Sequence, residues 1–226
     1  LQRCNSQPDR GSAAVSRFDP CFYWENATLD VVNRDKKEKK VASIVRKGFK
    51  PFRKLDTRRQ PPWAQIRRAI VDDLDKQLEW IRLDSARNLV ARHGTDPLPA
   101  DWRPKPRNRA RDLLMDLQDV SRSRWLAMKR PRSNEDINAY LKKNLGEDRV
   151  RTIAITEVAI AHQQGEQDAL EYMRKVQKVK GLRARWKCYP GCCKRCRALD
   201  GKFTRNKPPL HVRCRCSQEY VQRKAT

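Results

Sequence analysis

The chain has 226 residues with 38% hydrophobic and 35% charged side chains, enough for one sizeable domain or two small ones but with a lean supply of core residues. Its 52 lysines and arginines outnumber 27 aspartates and glutamates, which gives a formal net charge of +25. This excess favours a polyanionic partner, foremost nucleic acid, with membrane phosphates as the alternative. Every apolar stretch is far shorter than the roughly 20 residues of a transmembrane helix. We therefore expect no membrane-spanning segment, and of the two candidate partners we favour nucleic acid and expect no membrane partner.

Residues 1–60 combine weak hydrophobic periodicity with glycine, proline and serine punctuation and a charged run at residues 36–40. This pattern predicts an extended basic N-terminal arm that contacts the rest of the protein or a neighbouring subunit. A disordered basic tail is the alternative interpretation. Because the chain starts at Leu1, we expect that a preceding segment is trimmed, processed or outside this sequence.

A long amphipathic helix is predicted across residues 63–89, where apolar side chains recur mostly at three- and four-residue steps. Two prolines precede it and Gly94 follows it, as is common at helix boundaries. The sequence Arg-Pro-Lys-Pro-Arg at residues 103–107 predicts a stiff basic linker, because proline fixes its own backbone and disfavours helix in the residue before it. Helix and linker together make up residues 61–106.

Further helices are predicted in the middle of the chain from the same apolar periodicity. They cover about residues 107–128, 133–146, 148–164 and 167–179. Ser133 is expected to cap the second of these through a backbone donor near Asp136. Gly165 is expected to separate the last two.

The predicted fold class is mainly α (α+β), with a helical bundle body, a small Cys/His-rich β-hairpin module at the C-terminus and the extended basic N-terminal arm. Asp200-Gly201 predicts the turn of the hairpin. The predicted domains are the arm (1–60), the long helix and linker (61–106), and a C-terminal domain (107–226) that divides into helices (107–180) and a Cys/His module (181–220).

Six of the eight cysteines lie near the C-terminus. Cys193-x2-Cys196 and His211-x2-Cys214 each have the spacing of a chelating pair, which predicts a tetrahedral Cys3His site for zinc. A segment with few large apolar residues lacks a core of its own, and metal binding supplies folding free energy directly. We therefore predict a structural zinc ion.

Other ligand sets remain open at this point. Cys216 is a possible replacement for His211, and Cys188 or Cys192 is a possible ligand if the turn at residues 190–191 brings it inward. A pair of disulfides, or reduced thiols without an ion, is the alternative to a metal site.

Residues 180–226 carry fourteen basic and two acidic side chains. Lysine and arginine contact phosphates without reading bases, so we expect binding to double-stranded DNA that is independent of sequence and sensitive to salt. The candidate nucleic-acid-binding residues are Arg183, Arg185, Lys187, Lys194, Arg195, Arg197, Arg213 and Arg215.

The motifs of common enzymes are absent from the sequence, which has neither a phosphate-binding Gly-rich loop nor a His-Glu-x2-His pair and contains three histidines in all. We predict that the protein is not an enzyme. Glu157 is expected to be structural, pairing with a tail arginine such as Arg183 or Arg185. Two alternatives remain: a metal-stapled nuclease or similar nucleic-acid-processing enzyme, and a zinc-ribbon regulator that binds nucleic acid.

The order of several short motifs resembles the C-terminal domain of the phage head morphogenesis family, the Mu F-like minor head proteins. The motifs are Thr156-Glu157 on a helix, Trp186, a Cys-x2-Cys pair, Leu-Asp-Gly-Lys at residues 199–202, and Pro-Pro-Leu-His-Val-Arg-Cys-Arg-Cys at residues 208–216. The resemblance covers roughly residues 107–220, and its closing stretch is the most specific part. Family members usually have a short polar stretch before the first knuckle cysteine, whereas this chain has Cys-Tyr-Pro-Gly-Cys at residues 188–192.

The resemblance implies a non-enzymatic minor component of a tailed-phage head, present in a few copies within each virion. Its implied partners are the portal protein, the major capsid protein and the packaged double-stranded DNA. Its implied location is the head interior near the portal, after assembly in the host cytoplasm. The implied role is head assembly or DNA delivery.

Overall fold

The computed structural model describes residues 20–52, 62–128 and 133–222. The chain divides into two compact units, Leu1–Arg34 and Asp35–Thr226, and the described part of the first unit is helical. The elements in chain order are α1 (Pro20–Phe49), a 3-10 turn (Lys50–Phe52), α2 (Trp63–His93), α3 (Arg109–Leu126), α4 (Asn134–Leu145), α5 (Glu147–Lys175), β1 (Leu182–Lys187), α6 (Lys194–Arg197) and β2 (Ser217–Gln222). A mainly helical protein with a small antiparallel sheet near its C-terminus confirms the predicted fold class.

Residues 20–49 form helix α1 and not the extended arm that the sequence predicted. Within the second unit, Val41, Val45 and Phe49 recur at four-residue steps and are at most 1% exposed. They lie on one face of the helix and belong to the main hydrophobic core. The charged run at residues 36–40 obscured this apolar face. The rest of the predicted arm, apart from the 3-10 turn, lies outside the described residues.

Helices α2 and α5 pack along each other. Helix α2 confirms the predicted long helix and buries the predicted apolar stripe, including Ile66, Ile70 and Leu74. Helix α5 is continuous, so the prediction of two helices separated at Gly165 is wrong. A Cβ atom added at Gly165 would lie 2.1 Å from the carbonyl oxygen of Arg82 in α2. The glycine therefore permits a close approach of two helices and does not end one.

Helices α3 and α4 confirm the next two predicted helices. The Ser133 hydroxyl accepts a hydrogen bond from the Asp136 backbone N–H at 3.0 Å, and the Asp136 carboxylate accepts one from the Ser133 N–H at 3.2 Å. This reciprocal pair is a capping box, and it satisfies two donors at the start of α4.

The proline-rich linker at residues 103–107 is held on α5 by Asp168. One carboxylate oxygen of Asp168 accepts from the Lys105 backbone N–H at 3.1 Å, and the other accepts from the Arg107 guanidinium at 3.1 Å. Asp168 is buried. Because the prolines cannot form helical hydrogen bonds of their own, this carboxylate fixes the path of the chain between α2 and α3.

Strands β1 and β2 pair antiparallel, with Leu182 opposite Gln222 and Lys187 opposite Ser217. Leu182 and Tyr220 pack into a second hydrophobic cluster with the C-terminal parts of α2 and α5. The Asp200-Gly201 turn does not join the two strands, so its assignment as the hairpin turn is wrong. It lies within the 29-residue connection between β1 and β2, which holds the Cys/His residues and which we call the Cys/His segment (residues 188–216).

Among the helices in the described ranges, none is both long enough and apolar enough to span a lipid bilayer.

Candidate metal centre

The pairing of β1 with β2 brings the two ends of the Cys/His segment together. Lys187 pairs with Ser217 at the end of the sheet, so Cys188 and Cys216, the next residues outward, lie beside each other. Between them, Gly191 adopts a left-handed conformation with φ of 78°, which returns the chain toward Cys192. The sheet register therefore gathers cysteines that are far apart in sequence.

Helix α6 presents the predicted knuckle cysteines. Cys193 is the N-cap residue and Cys196 lies one turn later, so both sulfurs point to one side of the helix. The Sγ atoms of Cys193 and Cys196 lie 3.2 and 3.3 Å from His211 Nε2. The Cys196 Sγ lies 3.7 Å from the Cys214 Sγ. Cys193, Cys196 and His211 thus form one donor group, and Cys214, the fourth ligand predicted from the sequence, adjoins this group through Cys196 and groups with Cys196 and Cys216.

His211 is oriented by its own backbone neighbour. Its Nδ1–H donates to the Val212 carbonyl oxygen at 2.8 Å, which directs Nε2 toward the cysteines and raises the pKa of the ring. A hydrogen bond of this kind at the non-coordinating nitrogen is usual for histidines that bind metals. The ring is therefore held in an orientation that suits ligation through Nε2.

The three remaining cysteines of the segment join the same cluster. Cys188, Cys192 and Cys216 have sulfurs within 4.8 Å of one another, and so do Cys196, Cys214 and Cys216. The sequence predicted the members of the first group only as substitute ligands. Donors at these separations are close enough to hold a metal ion.

Burial is high at the centre of the cluster. Trp186 and Cys196 are 1% exposed, Cys214 is 2% exposed and Cys216 is 3% exposed, and these four side chains form a separate cluster. Few other apolar side chains support them, since among the described residues only Leu199 and Leu210 pack against the cluster besides cysteines. Cysteine side chains therefore make up most of the buried residues in this cluster.

The thiols of the cluster differ in pKa because of burial and because they form hydrogen bonds with one another. The pKa values of Cys188 and Cys196 are each raised to about 12, mainly because these thiols are buried. The pKa of Cys214 is lowered to about 5, mainly because its sulfur accepts a hydrogen bond from the Cys216 thiol. The same contact raises the pKa of Cys216. Cys214 thus ionises first, and a cation bound by the other sulfurs has to displace their protons.

Arg213 joins the Cys/His segment to helix α5. Its backbone N–H donates to the Thr156 hydroxyl at 3.1 Å, and its Nε donates to the Thr152 hydroxyl at 2.7 Å. Its guanidinium also pairs with the Asp148 carboxylate at 2.5 Å. These contacts come from one face of α5 and fix the positions of the nearby ligands His211 and Cys214.

Arg215 makes the corresponding contact with α1. Its guanidinium pairs with the buried carboxylate of Glu38 and lies 3.6 Å from the Asp35 carboxylate. The same guanidinium lies 5.1 Å from the centre of the Tyr189 ring. The sequence did not indicate this pairing, because the two carboxylates lie in the part of the chain predicted as an extended arm.

Glu157 pairs with Arg109 of α3, so the predicted pairing with Arg183 or Arg185 is wrong. The two guanidinium nitrogens of Arg109 donate to the two carboxylate oxygens at 2.7 and 2.8 Å. The Glu157 side chain is 2% exposed and that of Arg109 is 29% exposed. The pair therefore orients α3 against α5 within the body.

The predicted DNA contacts fall into two groups. Arg185, Arg213 and Arg215 form ion pairs with acidic side chains of the protein, the partner of Arg185 being Glu219. Lys187 is half-buried, and Arg183 is exposed and stacks on Phe203 at 4.2 Å from the ring centre. The remaining three side chains are exposed and lie on α6, namely Lys194, Arg195 and Arg197.

No family model, no curated protein and no solved structure matches this chain.

Proposed function

We propose that this chain is a structural minor head protein of a tailed phage that associates with packaged DNA and whose Cys/His segment is folded around zinc. One contact supports the family resemblance most directly. Thr156 and Arg213 belong to two motifs of the resemblance that lie 57 residues apart, and the Arg213 N–H donates to the Thr156 hydroxyl. The spatial meeting of both motifs gives a physical reason for their joint occurrence.

Zinc is the metal that the donor set favours. Three thiolates and one imidazole are a common ligand set for structural zinc, and the predicted ligands supply these four donors. A four-ligand site leaves no position for water or substrate, unlike a catalytic zinc site. The ion would stabilise the segment and would not take part in a reaction.

Helix α6 links the metal to the proposed DNA surface. Its buried residue, Cys196, is a proposed ligand, and its exposed residues Lys194, Arg195 and Arg197 point to solvent. A helix of four residues is not stable by itself, so the ion would be required to present these charges together. Phosphate contacts of this kind are independent of base sequence.

The head role includes contacts with the portal protein and the major capsid protein, which we assign to the N-terminal unit Leu1–Arg34. A deletion that tests this role must end before Asp35, because Val41, Val45 and Phe49 belong to the core of the second unit. The chain lacking residues 1–34 is expected to stay folded and to bind DNA but to be missing from purified particles. Full incorporation of the truncated chain would contradict the assignment.

DNA binding is tested by neutralising the exposed charges of α6. The test variant carries three substitutions, Lys194→Gln, Arg195→Gln and Arg197→Gln. The slope of log K against log [salt] is expected to become shallower by about 3 in this variant, because each phosphate contact that is lost reduces the slope by about 0.9. Fluorescence anisotropy with two unrelated duplexes measures the slope. The matched control neutralises three exposed charges of α3 and α4, namely Arg122, Lys142 and Lys143.

Other results of the same assay would favour the competing functions. A strong preference for one duplex would indicate a zinc-ribbon regulator, since head proteins beside packaged DNA have no need to read bases. Cleavage of the duplex in the presence of a divalent metal, abolished by one carboxylate substitution, would indicate a nuclease. Equal slopes for the α6 variant and its control would reject α6 as the DNA surface.

A further inference from the structure

The Cys/His segment contains more metal donors than one ion can use. Its seven donors are six cysteines and His211, and they form three overlapping groups. We propose that the segment binds two metal ions that share one cysteine thiolate. This inference rests on the zinc site proposed above for its first ion and adds a second ion.

The first ion takes the four donors already described, Cys193, Cys196, His211 and Cys214. Cys188, Cys192 and Cys216 then remain, and their sulfurs lie within 4.8 Å of one another. Three thiolates at this separation form an incomplete tetrahedral site, because zinc in structural sites almost always has four ligands. The second ion therefore needs one more donor.

A shared thiolate supplies that donor. Two tetrahedral ions have eight ligand positions, and seven donors fill them when one sulfur binds both ions. The buried group Cys196, Cys214 and Cys216 lies between the two outer groups, sharing Cys196 with one and Cys216 with the other. Because Cys216 already belongs to the second ion, the bridging sulfur is that of Cys196 or Cys214.

The second donor group is built by the fold. Cys188 follows the last residue of β1 and Cys216 precedes the first residue of β2, so the sheet register places them side by side. The Cys188 N–H also donates to the Asp200 carboxylate at 2.8 Å, which fixes the start of the segment. The sheet therefore positions two of the three sulfurs, and the turn that positions Cys192 is closed by its N–H, which donates to the Tyr189 carbonyl oxygen at 2.9 Å.

Charge also favours a second cation. Three of the six cysteines are buried, and a single divalent ion neutralises only two of the six charges that the cysteines carry when all of them bind as thiolates. A second divalent ion neutralises two more. The rest face a surface cavity of about 400 Å³ that is lined by Arg151, Arg213 and Arg215 beside the cysteines.

The number of bound ions tests the proposal in the full chain. Native mass spectrometry of the protein purified under reducing conditions, with elemental analysis, is expected to give two zinc ions per chain. Cys188→Ser and Cys192→Ser, made separately, are expected to give one ion and to leave the first site loaded. Cys21→Ser, the same substitution in another part of the chain, is the control and is expected to keep two ions.

Cadmium-113 substitution reports the bridge in the unmodified chain. Two resonances are expected, the one from the site with imidazole at higher field, and scalar coupling between them is expected through the shared sulfur. This readout does not depend on whether a serine variant folds.

The alternative outcomes separate the two sites. One ion in the unmodified chain would overturn the second site and leave the Cys3His site intact, whereas no ion would overturn both. Two ions that persist in both serine variants, two uncoupled cadmium resonances, or a disulfide between Cys188 and Cys192 in the reduced preparation would also reject the shared site.

Discussion

In the helical body, α1 to α5 bury one another's apolar side chains, whereas the buried cluster at the Cys/His segment consists of Trp186 from β1 and three of the segment's cysteines. Each leucine or isoleucine buried in the body contributes about 1.5–3 kcal/mol, and these contributions accumulate over many residues. The segment has no comparable set of apolar side chains. We therefore expect its stability to depend on a cation, on thiolate formation and on reducing conditions, none of which the body is expected to require.

The boundary between the body and the segment is polar. Arg213 contacts hydroxyl and carboxylate groups on α5, and Arg215 contacts carboxylates on α1. Because the apolar core of the body is closed by its own helices and by the sheet residues Leu182 and Tyr220, loss of order in the segment need not expose it. We therefore expect the body and the segment to lose structure independently.

The largest expected effect comes from Cys196→Ser, which removes a buried donor that belongs to two of the three donor groups. Metal binding by small structural zinc sites contributes an apparent ~10–16 kcal/mol, so the segment is expected to lose its order entirely. Hydrogen exchange is expected to show lost protection across residues 188–216 with unchanged protection in α2 and α5. Cys21→Ser is the control, and simultaneous loss of protection in α2 and α5 would contradict the independence of the body and the segment.

A buried ion pair provides the next largest effect, this time confined to the body. Arg109→Ala leaves the Glu157 carboxylate, whose side chain is 2% exposed, without its bidentate partner. Removal of one member of a buried pair costs about 3–5 kcal/mol, measured as the free energy of unfolding in urea. Arg111→Ala on the exposed side of the same helix is the control and is expected to change stability by less than about 0.5 kcal/mol.

The pH dependence of Arg109→Ala has a definite sign. Burial raises the pKa of Glu157 above its ordinary value of 4.5, and Arg109 opposes the rise. A carboxyl with a raised pKa binds its proton more tightly in the folded state, so stability falls as pH rises from about 4.5 through the raised value. Without Arg109 the pKa is raised further, and the variant is expected to lose stability more steeply over this range than the unmodified chain. An equal slope would show that Arg109 does not stabilise the ionised carboxylate.

Local patterns explain which helices could be predicted. In α2, α3 and α4 the buried apolar residues recur at helical spacing within one stretch of sequence, so the pattern is visible without knowledge of the tertiary structure. The Ser133 cap likewise requires only the four residues from Ser133 to Asp136. Helix α1 was missed because its buried residues follow a run of five charged ones. The continuity of α5 could not be predicted, because a glycine inside a helix is tolerated where another backbone passes close to it.

The candidate metal site also contains some contacts that the sequence could predict and others that it could not. Cys193 with Cys196 and His211 with Cys214 are pairs separated by two residues, so their spacing predicted a common ion. The neighbours of Cys188 depend on which residues of β1 and β2 pair, and the partner of Glu157 depends on how α3 packs on α5. Such contacts are long-range and leave no spacing signal in a single sequence.

Gly165→Ala tests how closely the two central helices of the body approach. In an ordinary helix interior this substitution stabilises by about 1 kcal/mol. Here the new Cβ atom would lie 2.1 Å from a backbone oxygen of α2, so the helices have to shift and the expected result is a loss of about 1–3 kcal/mol. Thermal unfolding measures the change, with Gln164→Ala as the control. A stabilised Gly165→Ala variant would show that α5 is not this close to α2.

The smallest expected effect is that of Ser133→Ala, which removes the side chain that caps α4. The loss of one cap costs about 1 kcal/mol, because the Asp136 N–H loses its acceptor but is exposed enough to bind water. Denaturant unfolding of the body is expected to shift by this amount, while the metal content of the Cys/His segment stays unchanged because α4 contributes no donor. Asn138→Ala, at an exposed position in the interior of the same helix, is the control. A change in metal content would indicate that the body and the segment are coupled through α4, and that the polar contacts of Arg213 transmit strain from one to the other.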